Sequence, residues 1–230
     1  MDSIAIIPAR GGSKRIPRKN IRELAGKPAI SYPIELAIKT GIFKSVIVST
    51  DDIEIAKIAE SSGAEVPFLR ESKLSDDFTT TIDVISNAIS KINTTGIKYV
   101  CCIYPVTPLL NIDRVIESYK ILSENIWDYV FSACEFPTPI ERAFRKNELG
   151  KVNFLNSNFV NTRTQDLSKA YYDSGQFYFG QLNSWQSKRP ILTGNSTFIE
   201  LEKNEVLDID EEEDWNLVER LLRLRNDSKS

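Results

Sequence analysis

Residues 3–20 read SIAIIPARGGSKRIPRKN. A short apolar run, Ile4–Ile7, is followed by adjacent glycines, Gly11 and Gly12, and by five basic residues: Arg10, Lys14, Arg15, Arg18 and Lys19. An apolar run without polar alternation fits a strand buried on both faces, as in parallel sheets. The basic loop then falls at the carboxyl end of that strand, where open α/β sheets bind ligands. Glycines let successive backbone N–H groups turn toward one anion, and Arg10, Lys14 and Lys19 can neutralise a polyphosphate. The loop is neither G-x-x-x-x-G-K-[ST] nor G-x-G-x-x-G, which weakens P-loop and dinucleotide readings. On spacing alone, a solvated basic loop remains the alternative.

Outward from this strand, βα units repeat through the first 130 residues. Residues 31–40 read as a helix with Pro33 in its first turn. Ser45–Ser49 reads as a second strand. Asp51 with Glu54 makes a capping box for DIEIAKIAESSG, which Gly63 ends. Glu65–Leu69 is expected as a third strand. Ile82, Ile85, Ile89 and Ile92 then recur at helical spacing. Tyr99–Tyr104 and Tyr129–Ala133 read as strands flanking a helix that carries Ile112, Val115, Ile116, Tyr119 and Leu122. The repetition predicts an α/β fold with a mostly parallel central sheet and right-handed crossovers. Residues 135–182, with a KNELGK turn and aromatic strands such as GQFYFG, read as an inserted antiparallel ribbon. The core returns with VLDID and closes on a helix with Leu217, Leu221 and Leu224 on one face. The tail NDSKS is expected to fray. The chain is thus read as one domain over 1–230, with its core in 1–134 and 183–225.

Bulk properties narrow the function. The 230 residues are enough to bury a sizeable core. The net charge is −3 and the pI near 5.3, so the opening cluster is a local feature of an acidic chain, against a nucleic-acid binder. The run after Met1-Asp2 is too short for a signal-peptide core, and no segment approaches a bilayer span, so a cytoplasmic location is expected. Cys101 and Cys102 sit inside YVCCIY and are expected as buried free thiols. With no histidine present, Ser-His and Cys-His nucleophile systems are excluded, and chemistry must run on carboxylates, Lys, Arg, hydroxyls and oxygen-bound metals.

VLDIDEEEDW offers Asp208 and Asp210, which on an extended chain point to one side and could hold a hard cation such as Mg²⁺. The alternative is an acidic run that caps the last helix. Arg70 and Thr79–Thr81 follow the third strand on the ligand side of the sheet; the threonines could equally serve as an N-cap. YYDSGQFYFG reads first as a packed strand, with Gly175 and Gln176 leaving room for a functional role.

IIPARGGSKRIPRKN, together with LAGKPAISYPI, STDDIEIAKIAESSGAEVPFLR and the terminal DIDEEEDW, resembles the cytidylyltransferases that activate nine-carbon sialic-type sugar acids. FPTPIERAF (136–144) and NTRTQDLSKAYYDSGQFYFG (161–180) are similar to the branch that acts on pseudaminic acid. Tyr104, in CIYPVTPLL, stands where the sialic branch typically has glutamine. Tyr172 stands where the pseudaminic branch usually has histidine. The resemblance implies a Rossmann-like nucleotidyltransferase fold and places Arg10, Gly11, Gly12, Ser13, Lys14, Lys19 and Asn20 against the CTP phosphates and ribose. It places Arg70, Thr80 and Thr81 on the cytidine, and Mg²⁺ on Asp208 and Asp210. By the same resemblance Tyr104, Arg163, Gln165, Tyr172 and Gln176 face the sugar acid, and Arg10, Lys14, Lys19, Asp208 and Asp210 carry the chemistry. It further implies a homodimer whose ribbon completes the partner's site, and a product used for surface glycans or flagellin. N-acetylneuraminic and legionaminic acid are the rival substrates. A non-catalytic nucleotide-binding protein is the rival of another class.

Overall fold

The computed structural model describes residues 1–76, 78–124 and 126–227. Its elements in order are β1 (Ser3–Pro8), β2 (Glu23–Leu24), β3 (Lys27–Pro28), α1 (Ser31–Thr40), β4 (Phe43–Ser49), α2 (Ile53–Ser61), α3 (Thr81–Ser90) and β5 (Tyr99–Ile103). There follow α4 (Ile112–Glu124), β6 (Tyr129–Glu135), β7 (Phe144–Lys146), β8 (Val152–Phe154), β9 (Tyr171–Gln181), α5 (Leu182–Gln186), β10 (Ser196–Leu201) and α6 (Glu212–Asp227). The main sheet has the order β10-β6-β9-β5-β1-β4. All its pairs are parallel except those of β9, which runs against both β5 and β6.

The strand residues explain why helices cover both faces. Ala5 and Ile7 pack with Ile34, Ala37, Ile55 and Val115 of α1, α2 and α4. Ile4 and Ile6 point the other way and pack with Ile85, Ala88 and Ile89 of α3 and Trp185 of α5. Strand alternation therefore sends successive apolar side chains into two cores. Cys101 and Cys102 follow the same rule, one in each core, and both are buried free thiols.

Several expectations need correcting. Glu65–Leu69 is not a strand: it makes only isolated parallel bridges, Ile47 to Glu65 and Thr50 to Leu69. Pro67 lies between them and has no N–H for the ladder. The cap of α2 is Asp52, not Asp51; its carboxylate accepts from the N–H groups of Glu54 at 2.8 Å and Ile55 at 3.1 Å. Of the expected ribbon, 135–182, β7 and β8 form a hairpin around the Asn147–Lys151 turn, but β9 lies in the middle of the main sheet. Its alternating aromatics serve both cores, with Phe177 and Phe179 in one and Tyr178 in the other. VLDID is likewise no strand; the returning strand is β10, paired parallel with β6. On α6 the buried face is Trp215, Val218 and Leu222, whereas Leu217 and Leu224 are exposed. Helix α6 runs to Asp227, and the rest of the tail, 228–230, lies outside the described residues.

Candidate active site

A cleft of about 390 Å³ opens at the carboxyl ends of β1 and β5. Arg10, Ser13, Lys14, Lys19 and Asn20 line one side, with Arg15, which the sequence reading left without a role. Arg70, Thr81 and Tyr104 line the other side, and Asp210 closes it. Five cationic side chains thus meet two carboxylates, Asp76 and Asp210, a balance suited to a polyanion.

The loop that carries these cations is fixed at three points. Arg18, at φ 55, turns its guanidinium onto Asp52 and Glu54 at the start of α2. Arg22 pairs with Glu212 at 2.5 Å and lies over the Trp215 ring at 4.7 Å. Ile16, buried amid the charges, packs in one cluster with Leu24, Ile209 and Trp215. That cluster ties the basic loop to the segment bearing Asp208 and Asp210, some 190 residues downstream. Arg18 and Arg22 therefore hold the loop, while Arg10, Lys14, Arg15 and Lys19 face the cleft.

The two glycines act differently from the expectation. The Gly11 N–H is already taken, donating to Asp51 Oδ1 at 2.9 Å. A Cβ at Gly11 would lie 2.7 Å from Asp52 Oδ2, so close packing requires glycine there. At Gly12 a Cβ would meet open space. Neither glycine lines the cleft. Asn20 is buried and donates through Nδ2 to the Arg10 carbonyl at 2.8 Å, which shapes the loop from within.

Charge in the cleft is strained by burial. Burial pulls the Lys19 ammonium below its ordinary range, against the attraction of Asp210 and Asp208. Its Nζ donates to the Ile209 carbonyl and lies 3.9 Å from Asp210. Arg15 reaches Asp210 at 2.7 Å. Burial pushes the Asp208 carboxyl up, and the Asp210 charge adds to the effect. Arg70, 5% exposed, is held by Asp51 at 3.9 Å and by its Nε donating to Ser75 Oγ at 3.2 Å.

The threonines divide. Thr80 is the N-cap of α3, accepting from the Asp83 N–H at 3.2 Å and donating to Asp83 Oδ2 at 2.7 Å, and does not line the cleft. Thr81 does, and its hydroxyl bonds that of Tyr104 at 2.8 Å. The remaining expected sugar residues stand apart from the cleft. Arg163 is exposed and paired with Asp166 at 2.8 Å, and Gln165 is exposed in the same turn. Gln176 is buried, donating through Nε2 to the Glu205 carbonyl at 2.6 Å. Tyr172 packs on Phe136 at 5.0 Å; burial, Cys134 and Asp208 push its hydroxyl up to about 12. Thr79, the first of the expected hydroxyl run, also lines the cleft, as do Asp76, Leu74 and Val84, which no sequence motif marks.

The profile of the family described as Cytidylyltransferase matches residues 4–225. The chain is 43% identical over 230 residues to the pseudaminic acid cytidylyltransferase of Campylobacter jejuni, covering 99% of each. It is 33% identical to N-acylneuraminate cytidylyltransferase A of Danio rerio, over 95% of this chain and 50% of that protein. Among solved structures, CMP:2-keto-3-deoxy-manno-octonic acid synthetase complexed with CTP superposes with a TM-score of 0.74 at 16% identity, covering 98% and 100% of the two chains. That likeness supports the Rossmann-like nucleotidyltransferase fold. With a cationic cleft at the strand ends and a match over nearly its whole length, the chain belongs to the cytidylyltransferase family.

Proposed function

We propose that the chain activates pseudaminic acid with CTP, giving CMP-pseudaminic acid and pyrophosphate. The observation that carries this is the end-to-end 43% identity to a relative of that name. In this reading Arg10, Ser13, Lys14, Lys19 and Asn20 receive the triphosphate and ribose, joined by Arg15, and Arg70 with Thr81 holds the cytidine. Thr80 contributes through its cap, and Gly11 and Gly12 through loop shape. The anomeric hydroxyl of the sugar acid attacks the α-phosphorus in line. A new P–O bond forms, the bond to the β-phosphate oxygen breaks, and pyrophosphate leaves with that electron pair as the hydroxyl loses its proton. The protein's share is positioning and charge stabilisation. Tyr104 sits in the cleft to meet the sugar acid. Tyr172, Gln176, Arg163 and Gln165 are assigned to the sugar side on resemblance alone.

No group of three or more metal-binding side chains occurs among the described residues. The Asp208–Asp210 pair nevertheless fits a hard cation, because two like charges are gathered at a partly buried position and Mg²⁺ commonly takes one or two carboxylates plus substrate phosphates. Mg²⁺ held there would neutralise phosphate charge during transfer. Asp210→Ala should lower kcat by at least roughly two decades, as loss of a main electrostatic stabiliser does. No helix among the described residues is long and apolar enough to cross a membrane, and we place the enzyme with its CTP in the cytoplasm. The exposed apolar face of the β7–β8 region, with Phe144, Leu149, Val152 and Leu155, supports a homodimer. Pyrophosphate release, followed with CTP and each nine-carbon sugar acid in turn, tests the substrate. Pseudaminic acid should be turned over fastest, and preference for N-acetylneuraminic or legionaminic acid would refute the assignment.

A further inference from the structure

Asp208 and Asp210 lie on a stretch without regular structure. Between the end of β10 at Leu201 and the start of α6 at Glu212, residues 202–211 form neither helix nor strand. Two carboxylates gathered on such a stretch repel each other and would turn apart if the backbone were free. The backbone is instead held at both ends. At the far end the Asp214 carboxylate accepts from the N–H groups of Asp210 at 3.0 Å and Glu211 at 2.9 Å. Along the stretch, Ile209 joins the apolar cluster of Trp215, with Leu207 packed against it, and Val206 packs against the larger core.

The near end is closed by buried polar groups. Glu205 is 8% exposed, and its N–H donates to the Glu202 carbonyl at 2.8 Å. Its carboxylate gathers three donors: Asn111 Nδ2 at 2.7 Å on Oε1, and the Glu202 N–H at 2.9 Å with Arg114 Nε at 3.3 Å on Oε2. Asn111 is itself fixed, because its Oδ1 accepts from the Asp113 N–H at 3.0 Å at the head of α4. From the other side Gln176 Nε2 donates to the Glu205 carbonyl at 2.6 Å. The turn that leads to Asp208 is therefore tied to α4 through its side chain and to β9 through its backbone. The Gln176 carbonyl also accepts from the Tyr104 N–H at 2.9 Å, which joins this turn to the wall of the cleft.

Neither residue is one that packing alone would select. A buried carboxylate, here with Arg114 as its paired cation at 3.3 Å, is often no more stabilising than a packed apolar group of the same volume. Gln176 is 6% exposed, and its Oε1 has no hydrogen-bond partner among the described residues. An unpaired buried acceptor costs stability, and methionine, of nearly the same shape, would not carry one. We propose that Gln176 and Glu205 are positioning residues that hold the 205–210 backbone so that Asp208 and Asp210 converge on one divalent cation. Groups that orient metal-binding side chains in this way set the affinity for the ion without touching it. This rests on the reading of the aspartate pair as the cation site, and it gives Gln176 a task independent of any contact with the sugar acid.

The test is Mn²⁺ binding to the full chain with CTP saturating and no sugar acid, so that nothing turns over, read by water-proton relaxation. It is run beside thermal melts on wild type, Asp210→Ala, Gln176→Met and Glu205→Gln. Gln176→Met removes the donor to Glu205 together with the unpaired Oε1. Its apparent Kd for Mn²⁺ should rise about three- to twelvefold, the worth of one net hydrogen bond, while its melting temperature without ligand is no lower than that of wild type. The KM for pseudaminic acid at saturating Mg²⁺ should change less than about twofold. Glu205→Gln sets an N–H₂ group against Asn111 or Arg114, donor to donor, and should weaken Mn²⁺ at least as much; should it not fold, Gln176→Met decides. Mn²⁺ affinity within about twofold of wild type in Gln176→Met would overturn the proposal: with a lower melting temperature the amide is merely structural, and with a raised sugar-acid KM it serves the substrate. Failure of the underlying cation reading is distinct, because Asp210→Ala would then bind Mn²⁺ as wild type does, and it would take the proposal with it.

Discussion

Arg70 should add nothing to the stability of the empty protein, and its loss should cost the loaded one affinity. It is 5% exposed, faces the cleft, and meets Asp51 only at 3.9 Å. Burial lowers its hold on its proton; Asp51 opposes this, and Arg10 adds repulsion. A cation so poorly compensated waits for an anion. Arg70→Met keeps the apolar stem and removes the charge, and Asp51 keeps its bond from the Gly11 N–H. Asp51 is itself partly exposed, at 26%, so no fully buried charge is left unpaired, and the melting temperature without ligand should hold or rise. Lost charge-assisted hydrogen bonds to CTP should cost about 2 kcal/mol, near thirtyfold in Kd. With CTP at about 100 times the wild-type Kd, ligand stabilisation should fall from about 2.7 to about 0.9 kcal/mol. For a chain of this size the CTP-induced shift then drops from about 5–11 °C to about 2–4 °C. Thermal melts with and without CTP measure both quantities. A variant that melts well below wild type without ligand, yet keeps its CTP shift, would show that Arg70 is a structural residue and refute the reasoning.

Three further outcomes are expected. The Arg18 guanidinium, with the Glu54 and Ile55 N–H groups, holds the Asp52 carboxyl below its ordinary range; its contribution is therefore present above the unfolded-state value and is lost as pH falls below about 4. Asp52→Ala should cost about 1 kcal/mol through the lost cap, flatten the acid limb of the pH–stability curve and raise the KM for CTP by loosening the loop, all read from melts and kinetics. Gly180→Ala would press a methyl into the Tyr129 ring and to 2.6 Å from Trp185 Nε1; denaturant unfolding should show a loss of about 1–3 kcal/mol with little change in residual substrate KM values. Phe144→Asp with Val152→Asp should convert a species near twice 26.1 kDa to one near that mass in light scattering, and an unchanged mass would remove the β7–β8 face from the dimer contact.

How far the sequence speaks depends on the range of the interaction involved. The Ile4–Ile7 run, the isoleucines of α3 and the α4 pattern announce their elements because burial periodicity is local, and α1, α3, α4 and β5 lie within a few residues of expectation. The Asp51/Asp52 shift is also local but decided from afar. Both aspartates can cap α2, and the choice falls to Asp52 because Asp51 is engaged by the Gly11 N–H across the sheet. β9 was misread for a related reason. An aromatic at successive positions signals two buried faces, which only a central strand provides, yet its pairing partners β5 and β6 lie some 40–80 residues away in the chain.

The site divides along the same line. The half proposed for the nucleotide hangs on one loop whose charges, read as a string, already look like a polyanion cradle. Sequence alone could not separate the cations that face the ligand from those that brace the loop: Arg18 and Lys19 are neighbours, but one turns to Asp52 and Glu54 and the other to Ile209 and Asp210. The other side of the cleft is harder because its residues come from separate elements. Tyr104 follows the end of β5 and Thr81 opens α3, while the Tyr178 ring that meets Tyr104 lies on a bulged β9 whose register brings Asp173 to its side. A bulge has no period, so no pattern in the string marks it. What the string does offer is Gly175, the one glycine between Asp173 and Tyr178 and so the residue there that takes φ 60 without strain; its N–H donates to the Asp173 carboxylate, which in turn accepts from the Tyr178 hydroxyl.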